Sequence, residues 1–442
     1  MEKLLGEKMS KYENSLKLLE RALKVTPLGA QTYSKSSRYY PEGNAPAFIE
    51  KGDGCYVYDV DGNQFIDFVC GLGPITIGYN NQKVNEAVKN QIDKGITFSL
   101  QSPVEVELAE KLIDIVPCAE MVRFVKNGGD ATTAAIRLAR AFTGRDIVVL
   151  SGYHGMHDWS IGTTENNRGV PSDVCNLTKT FEYNNAESLN ELFDMYPNQI
   201  AAVILEPIQA NGPKDNFLEE IKEITHKNGA ILIFDEVVSG YRYALGGASE
   251  LYGSVPDMAS FGKGMGNGLP ISAIAGKKEI MKLIEEGIFV STTFGGEALS
   301  LAGSLAALEI LSQDGIYERI WELGSMMRDG LQKLIDEFEL NDVIFVSGLP
   351  PHCGVEFEGK NSLDYLDITS IFIETMVENG IITVGINNLN VSHTENEINK
   401  YLDVSKKAMI KIKKAIKQDS LEDILKGGKV DPVFKRNIVE ND

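Results

Sequence analysis

The sequence predicts an α/β fold: a mostly parallel central sheet in a large domain, accompanied by a smaller α+β domain. Three observations carry this expectation. Short apolar runs of strand length recur from about residue 83, helical stretches lie between several of them, and the texture changes after about residue 310. Strand–helix alternation of this kind implies a parallel sheet covered on both faces. A chain of 442 residues accommodates two or three domains. The expected division is 1–70, an N-terminal segment packing with the small domain, 71–310, the large domain, and 311–442, the C-terminal small domain.

Residues 8–26 read as an amphipathic helix with Leu16, Leu18, Leu19, Leu23 and Val25 at its apolar positions. Gly52–Asp67 reads as a hairpin turning at Asp61-Gly62-Asn63. The strands of the large domain are expected at Met121–Val125, Ile147–Leu150, Ile200–Leu205, Ala230–Asp235, Met258–Ser260 and Ile271–Ala275, with helices such as Asp130–Thr143 and Phe217–Asn228 between them. Beyond residue 310, the pattern gives a helix over Asp314–Phe338, strands at Val343–Val346 and Gly354–Phe357, and a Lys-rich helix near Ile398–Lys417.

Composition narrows the function. Hydrophobic residues make up 43% and charged residues 24%, a globular balance. The longest apolar runs are strand-sized, far short of the ~18 residues of a membrane span. The start of the chain has no basic stretch followed by an apolar one, so no signal peptide is expected. Five scattered cysteines, none in a CxxC pair, argue against a disulfide framework or zinc site and for a reducing cytoplasm. A net charge of −20 repels nucleic acid and anionic lipid.

Four motifs carry chemistry. The run Ala230–Phe234 delivers Asp235-Glu236-Val237 to the carboxyl end of a buried strand, where open α/β sheets bind ligands. Lys263 follows a short strand and is embedded in glycines, in Ser260-Phe-Gly-Lys263-Gly-Met-Gly-Asn-Gly. A lysine and a carboxylate on neighbouring strand ends match what pyridoxal phosphate needs: an amine for a Schiff base that later shuttles a proton, and an anion that keeps the pyridine nitrogen protonated. Read singly, Asp235 is a turn cap and Lys263 a solvated loop lysine. Asn127-Gly128-Gly129-Asp130 opens an Ala-rich helix, an anion cradle suited to phosphate, or else an ordinary turn. It is not a nucleotide loop, since neither GxxxxGK[ST] nor GxGxxG occurs. In Tyr153-His154-Gly155 the aromatic ring suits stacking on a flat heterocycle. His154 taken alone reads as a core histidine bonded to backbone, and His157 and Asp158 stay unassigned.

With these motifs in order, the chain resembles the class-III pyridoxal-phosphate aminotransferases. It looks most like their glutamate-1-semialdehyde aminomutase branch and the related aminotransferases of polysaccharide biosynthesis. The resemblance covers nearly the whole chain, from Gly52-Asp-Gly-Cys-Tyr-Val-Tyr-Asp-Val-Asp-Gly, through Ala134-Ala-Ile-Arg-Leu-Ala-Arg and Glu206-Pro207, to Ser392-His393-Thr394. It implies a fold-type I enzyme whose large domain binds pyridoxal 5'-phosphate. Carried over position by position, Gly128 and Gly129 would bind the phosphate, Tyr153 would stack on the ring and Val237 would pack on its other face. Asp235 would pair with the pyridine nitrogen, Asn211 would approach the phenolic oxygen and Lys263 would form the Schiff base. Thr293 matches a threonine that reaches the phosphate from the partner subunit, which implies a homodimer with shared active sites. The surrounding Phe294-Gly295-Gly296-Glu297 departs from the common pattern.

The resemblance also implies the partners: a small-molecule amino donor and a carbonyl acceptor. Members that use 2-oxoglutarate place a gating glutamate where this chain has Asn211, and pair it with a C-terminal arginine. No arginine occurs here between Arg328 and Arg436. Asn211 matches the aminomutase branch, yet that branch carries an N-terminal arginine where this chain has Lys35, and a lysine lacks the bidentate fork for a carboxylate. The expectation is therefore an aminotransferase acting on a small aldehyde or ketone, phosphorylated or sugar-derived. Intramolecular aminomutation is the alternative. A non-catalytic binding protein and a nucleotide enzyme are more distant rivals.

Overall fold

The computed structural model describes residues 11–432, and these fold as two units. Within the described residues, one unit comprises 73–77 and 81–319, and the other 11–72, 78–80 and 320–432.

The first unit is built on a seven-stranded sheet. In spatial order its strands are Met121–Val125, Ser272–Gly276, Met258–Phe261, Ile231–Asp235, Ile200–Leu205, Ile147–Ser151 and Thr178–Thr180. All pairings are parallel except the two made by Ser272–Gly276. The strands Ile147–Ser151, Ile200–Leu205 and Ile231–Asp235 are buried at every position, as expected of a sheet covered on both faces. Thr178–Thr180 is a polar edge strand with no apolar run to betray it.

The helix Gly128–Thr143 shows how sequence sets the packing. Its small residues Ala131, Ala134, Ala135 and Ala139 bury against Val148, Leu150, Ile204, Ile233 and Ile274 of the sheet. Side chains no larger than a methyl let the helix axis approach the strands closely, and burial stabilises by roughly 25 cal/mol per Å² of apolar surface. That approach carries the helix start to the carboxyl ends of the parallel strands.

The second unit holds two smaller sheets. Ile49–Asp53, Tyr56–Asp59 and Gln64–Asp67 form an antiparallel meander, to which Ile381–Ile382 adds in parallel. Ile344–Leu349, His352–Phe357 and Ile386–Asn388 form a three-stranded antiparallel sheet. The long helices Ile316–Glu337 and Glu395–Gln418 match the sequence reading, whereas helix Tyr365–Glu378 was not anticipated. All residues from Asp367 to Val377 except Thr369 are buried, so burial runs almost all round the helix and erases the amphipathic signature. The first helix is Glu13–Val25, and residues 8–10 of the expected span lie outside the described residues. Leu23 and Val25 of its apolar stripe are exposed, while Tyr12 and Ser15 are the buried positions.

Candidate functional site

Six of the eight residues singled out from the sequence converge at the carboxyl end of the seven-stranded sheet. Asp235 ends its strand and is buried. Its Oδ1 accepts the backbone N–H of Val237 at 3.1 Å, and its Oδ2 lies 2.7 Å from His154 Nδ1. Burial of an ionised carboxylate is tolerable only with such partners.

Taken alone, His154 read as a core histidine bonded to backbone; it is in the core, but its side chain does not turn to backbone. Instead, a wholly buried imidazole bonds a carboxylate 81 residues away. Asp235 accepts only, so the nitrogen facing it carries the proton. His154 Nε2 is buried with no hydrogen-bond partner among the described residues, and the ring lies parallel to Trp159, 6.1 Å between centroids and 12° between planes. The pairing with Tyr153 in one tripeptide was the available signal. Sequence distance hid its target.

Lys263 follows the adjacent strand, Met258–Phe261, whose Ser260 pairs with Asp235. Its backbone has φ +37°, an unfavourable conformation for a side chain that costs roughly 1–2 kcal/mol. Strain of this kind gathers where surrounding structure holds a residue in a required place. Burial lowers the Lys263 ammonium pKa below its usual range, while Asp235 and Glu206 act in the opposite sense. Glu206, used only as a motif marker in the sequence, accepts the Tyr153 N–H at 2.9 Å. Burial, then the Asp235 charge, raises its carboxyl, with His154 the largest opposing influence.

Gly128 and Gly129 are the first two residues of the Ala-rich helix. The first N–H groups of a helix have no acceptor inside it, and the helix dipole favours an anion there. A Cβ on Gly128 would come within 2.7 Å of Val237, so this helix start presses directly on the Asp235 strand end. Thr132 in the same turn donates to the His154 carbonyl at 2.8 Å. Tyr153, beside these groups in sequence, exposes about half its surface, 55%.

The structure does not draw the other two residues into this set. Asn211 is exposed in the turn after Glu206-Pro207, and Thr293 is exposed in the loop before helix Ala298–Leu311. That loop is nonetheless anchored to the glycine turn, because Lys126 Nζ donates to Glu297 Oε1 at 2.8 Å in a largely buried pair. Among the described residues no group of His, Cys, Asp and Glu could hold a metal ion, and no helix is long and apolar enough to cross a membrane.

Comparison with known proteins places this geometry. The family described as aminotransferase class-III matches residues 39–414. The chain is 37% identical over 369 residues to the 3-aminobutyryl-CoA aminotransferase of Cloacimonas acidaminovorans, covering 82% of this chain and 85% of that one. It is 33% identical over 430 residues to the glutamate-1-semialdehyde 2,1-aminomutase of Methanosphaera stadtmanae, covering 91% and 100%. Among solved structures, the PLP internal aldimine form of the FumI protein of Sphingopyxis sp. MTA144 superposes with a TM-score of 0.83 at 26% identity, over 91% of this chain and 97% of that one. The residues present here fit pyridoxal phosphate: a desolvated amine, a buried carboxylate held by a histidine, a glycine cradle at a helix start, and an accessible aromatic ring.

Proposed function

The chain belongs to the class-III aminotransferases, enzymes that use pyridoxal phosphate, and from that premise we propose that it transfers an amino group to a small aldehyde or ketone through Lys263. One observation carries the reading: a half-buried lysine and a buried carboxylate stand on neighbouring strand ends, beside a glycine-opened helix.

When bound, the cofactor supplies an aldehyde for the amine and a ring that withdraws electrons from the carbon losing its proton. Every other function falls to the chain. Gly128 and Gly129 N–H groups would hold the phosphate, Tyr153 and Val237 would flank the ring, and Asp235 would face the pyridine nitrogen. His154 positions Asp235: its Nδ1–H fixes Oδ2, while the Val237 N–H fixes Oδ1. Lys263 supplies the amine that holds the cofactor covalently. With the cofactor bound, the same Nζ would take a proton from the substrate carbon and return one, and the burial that lowers its pKa favours the neutral form a base requires. Asn211 would approach the phenolic oxygen. Thr293 would reach the phosphate of a partner subunit in a homodimer, in the cytoplasm.

The acceptor class follows from the missing carboxylate fork. With Asn211 in place of a gating glutamate and no arginine from 329 to 435, a dicarboxylate acceptor finds no bidentate partner in the C-terminal region. A phosphorylated or sugar-derived carbonyl compound suits the chain better. Aminomutation is the second reading, favoured by Asn211 and by the aminomutase relatives. Glutamate-1-semialdehyde offered alone separates the two: formation of 5-aminolevulinate without a second amino acid establishes the mutase. For the main reading, the cofactor's absorbance is followed as a panel of amines is added, and carbonyl acceptors are then tested. No amine-driven change would sink it.

A further inference from the structure

The turn Tyr153–His157 lies against the glycine-opened helix, and the contact is specific. Gly155 has φ +105°, and a Cβ there would sit 2.8 Å from Gly129 Cα, so glycine alone allows this approach. Two residues later, the His157 imidazole occupies the flank of Gly129. A Cβ built on Gly129 would lie 3.1 Å from His157 Cδ2 and 3.4 Å from Nε2. The histidine ring therefore stands in the space that a side chain at position 129 would use.

Its orientation is held from two sides. The His157 carbonyl accepts the Ser160 and Ile161 N–H groups at 2.9 and 3.0 Å, which fixes the backbone at the start of a short helix. On the other side, Asp130 Oδ1 lies 3.4 Å from Nε2. That separation exceeds the usual N–H···O range of about 2.7–3.2 Å, so the Asp130 carboxylate orients the ring without consuming its donor. Asp130 is itself occupied, since its Oδ2 accepts the Asn127 backbone N–H at 2.8 Å. The His157 side chain is 36% exposed, enough to meet a ligand arriving at the helix start.

We propose that His157 is a ligand of the cofactor phosphate, its Nε2–H adding a side-chain donor to the backbone N–H groups of Gly128 and Gly129. The inference rests on the reading that this helix start holds the phosphate. Gly129 brings no side chain of its own, and an imidazole from the neighbouring turn fills the vacant flank with a donor.

The test compares two probes on the full-length protein: pyridoxal phosphate and pyridoxal, which differ only by the phosphate. Two variants are titrated with each, His157→Ala and His157→Phe. The phenylalanine keeps a ring packed on Gly129 but has no N–H. A hydrogen bond to a charged group implies a loss of about ten- to a hundred-fold in affinity for pyridoxal phosphate. The affinity for pyridoxal should not change. Adding Gly129→Ser to His157→Ala should recover part of the phosphate-specific loss, by placing a hydroxyl in the vacated space. Affinities that stay unchanged, or fall by one common factor for both probes, would overturn the proposal. Borohydride reduction keeps the two levels apart: a Lys263 adduct in the unmodified protein upholds the parent reading whatever His157 does, and its absence overturns both.

Discussion

Two histidines, both wholly buried, sit one in each unit and do opposite things. His154 bonds a carboxylate through Nδ1, against the sheet that carries Lys263. His393 bonds no carboxylate through Nδ1: that atom accepts the Asn390 backbone N–H at 3.0 Å, and the ring stacks on Phe68 at 4.6 Å. Burial pushes the His393 pKa down to about 4. Nδ1 thus serves as a donor in one ring and as an acceptor in the other, and the difference lies wholly in what faces it. A buried imidazole bonded to a carboxylate can position that charge, whereas one whose Nδ1 accepts a backbone N–H and whose ring stacks on an aromatic serves the packing. Both belong to motifs visible in the sequence, and nothing in either motif distinguishes them.

Substitutions can break or sharpen this contrast. The largest effect is expected at the group that His154 ultimately serves. Lys263→Ala should lower turnover by at least about 10²–10⁴-fold, with cofactor bound but no covalent adduct after borohydride reduction and mass spectrometry. Asp235→Asn should cost about 10²–10³-fold in kcat, the scale of removing one preorganised electrostatic group. Steady-state kinetics with folding checked by circular dichroism would read it.

The contrast itself is tested by one substitution made twice. His154→Phe should reduce kcat by about 10–100-fold, the worth of a hydrogen bond to a charged group, with a smaller change in melting temperature. His393→Phe should leave kcat within about twofold of the unmodified enzyme and cost stability instead, roughly 1–3 kcal/mol for the orphaned Asn390 N–H. If the two variants lose activity equally, the distinction drawn between the histidines is wrong.

The smallest effects are in pH dependence, and they have opposite signs. His393 has a folded pKa below its unfolded value, about 4 against 6.5. Its stabilising contribution is complete above about pH 6.5 and is lost as pH falls toward 4, because the unfolded chain binds the proton first. Glu236 is the reverse case: burial raises its carboxyl to about 7, from an ordinary 4.5. The folded state holds the proton more tightly, so stability falls as pH rises from about 4.5 to 7. Denaturant midpoints across pH 4–7.5 should show the acid-side loss flattened in His393→Phe and the upper-range decline flattened in Glu236→Gln.

Asp235 and Glu236 also show how much of the site was legible. The run Ala230–Phe234 announced a buried strand and an acidic pair at its end, because apolar continuity and strand length are local properties. Which carboxylate turns toward the site was not local. Asp235 meets His154 and the Val237 N–H, whereas Glu236 turns inward to Ser239 Oγ and the N–H groups of Ala248 and Ser249. Similarly, glycines at 128 and 129 signalled a helix start open to an anion, but the ring of His157 on the flank of Gly129 came only from the turn that Gly155 permits. Edge strand Thr178–Thr180 and helix Tyr365–Glu378 escaped notice for one shared reason: neither carries the apolar periodicity by which elements are read.

The amino-acid sequence by itself determined the α/β class, most strand positions and the order Gly128, Tyr153, Glu206, Asp235, Lys263 along the chain. Each follows from near-neighbour patterning, which the backbone's two periodicities translate directly into structure. Only the tertiary structure decided that His154 donates to Asp235, that burial lowers the Lys263 pKa and that Lys126 ties the glycine turn to the Thr293 loop through Glu297. Those outcomes depend on desolvation and on contacts between distant segments, which come into being only when the parallel strands assemble and their ends meet.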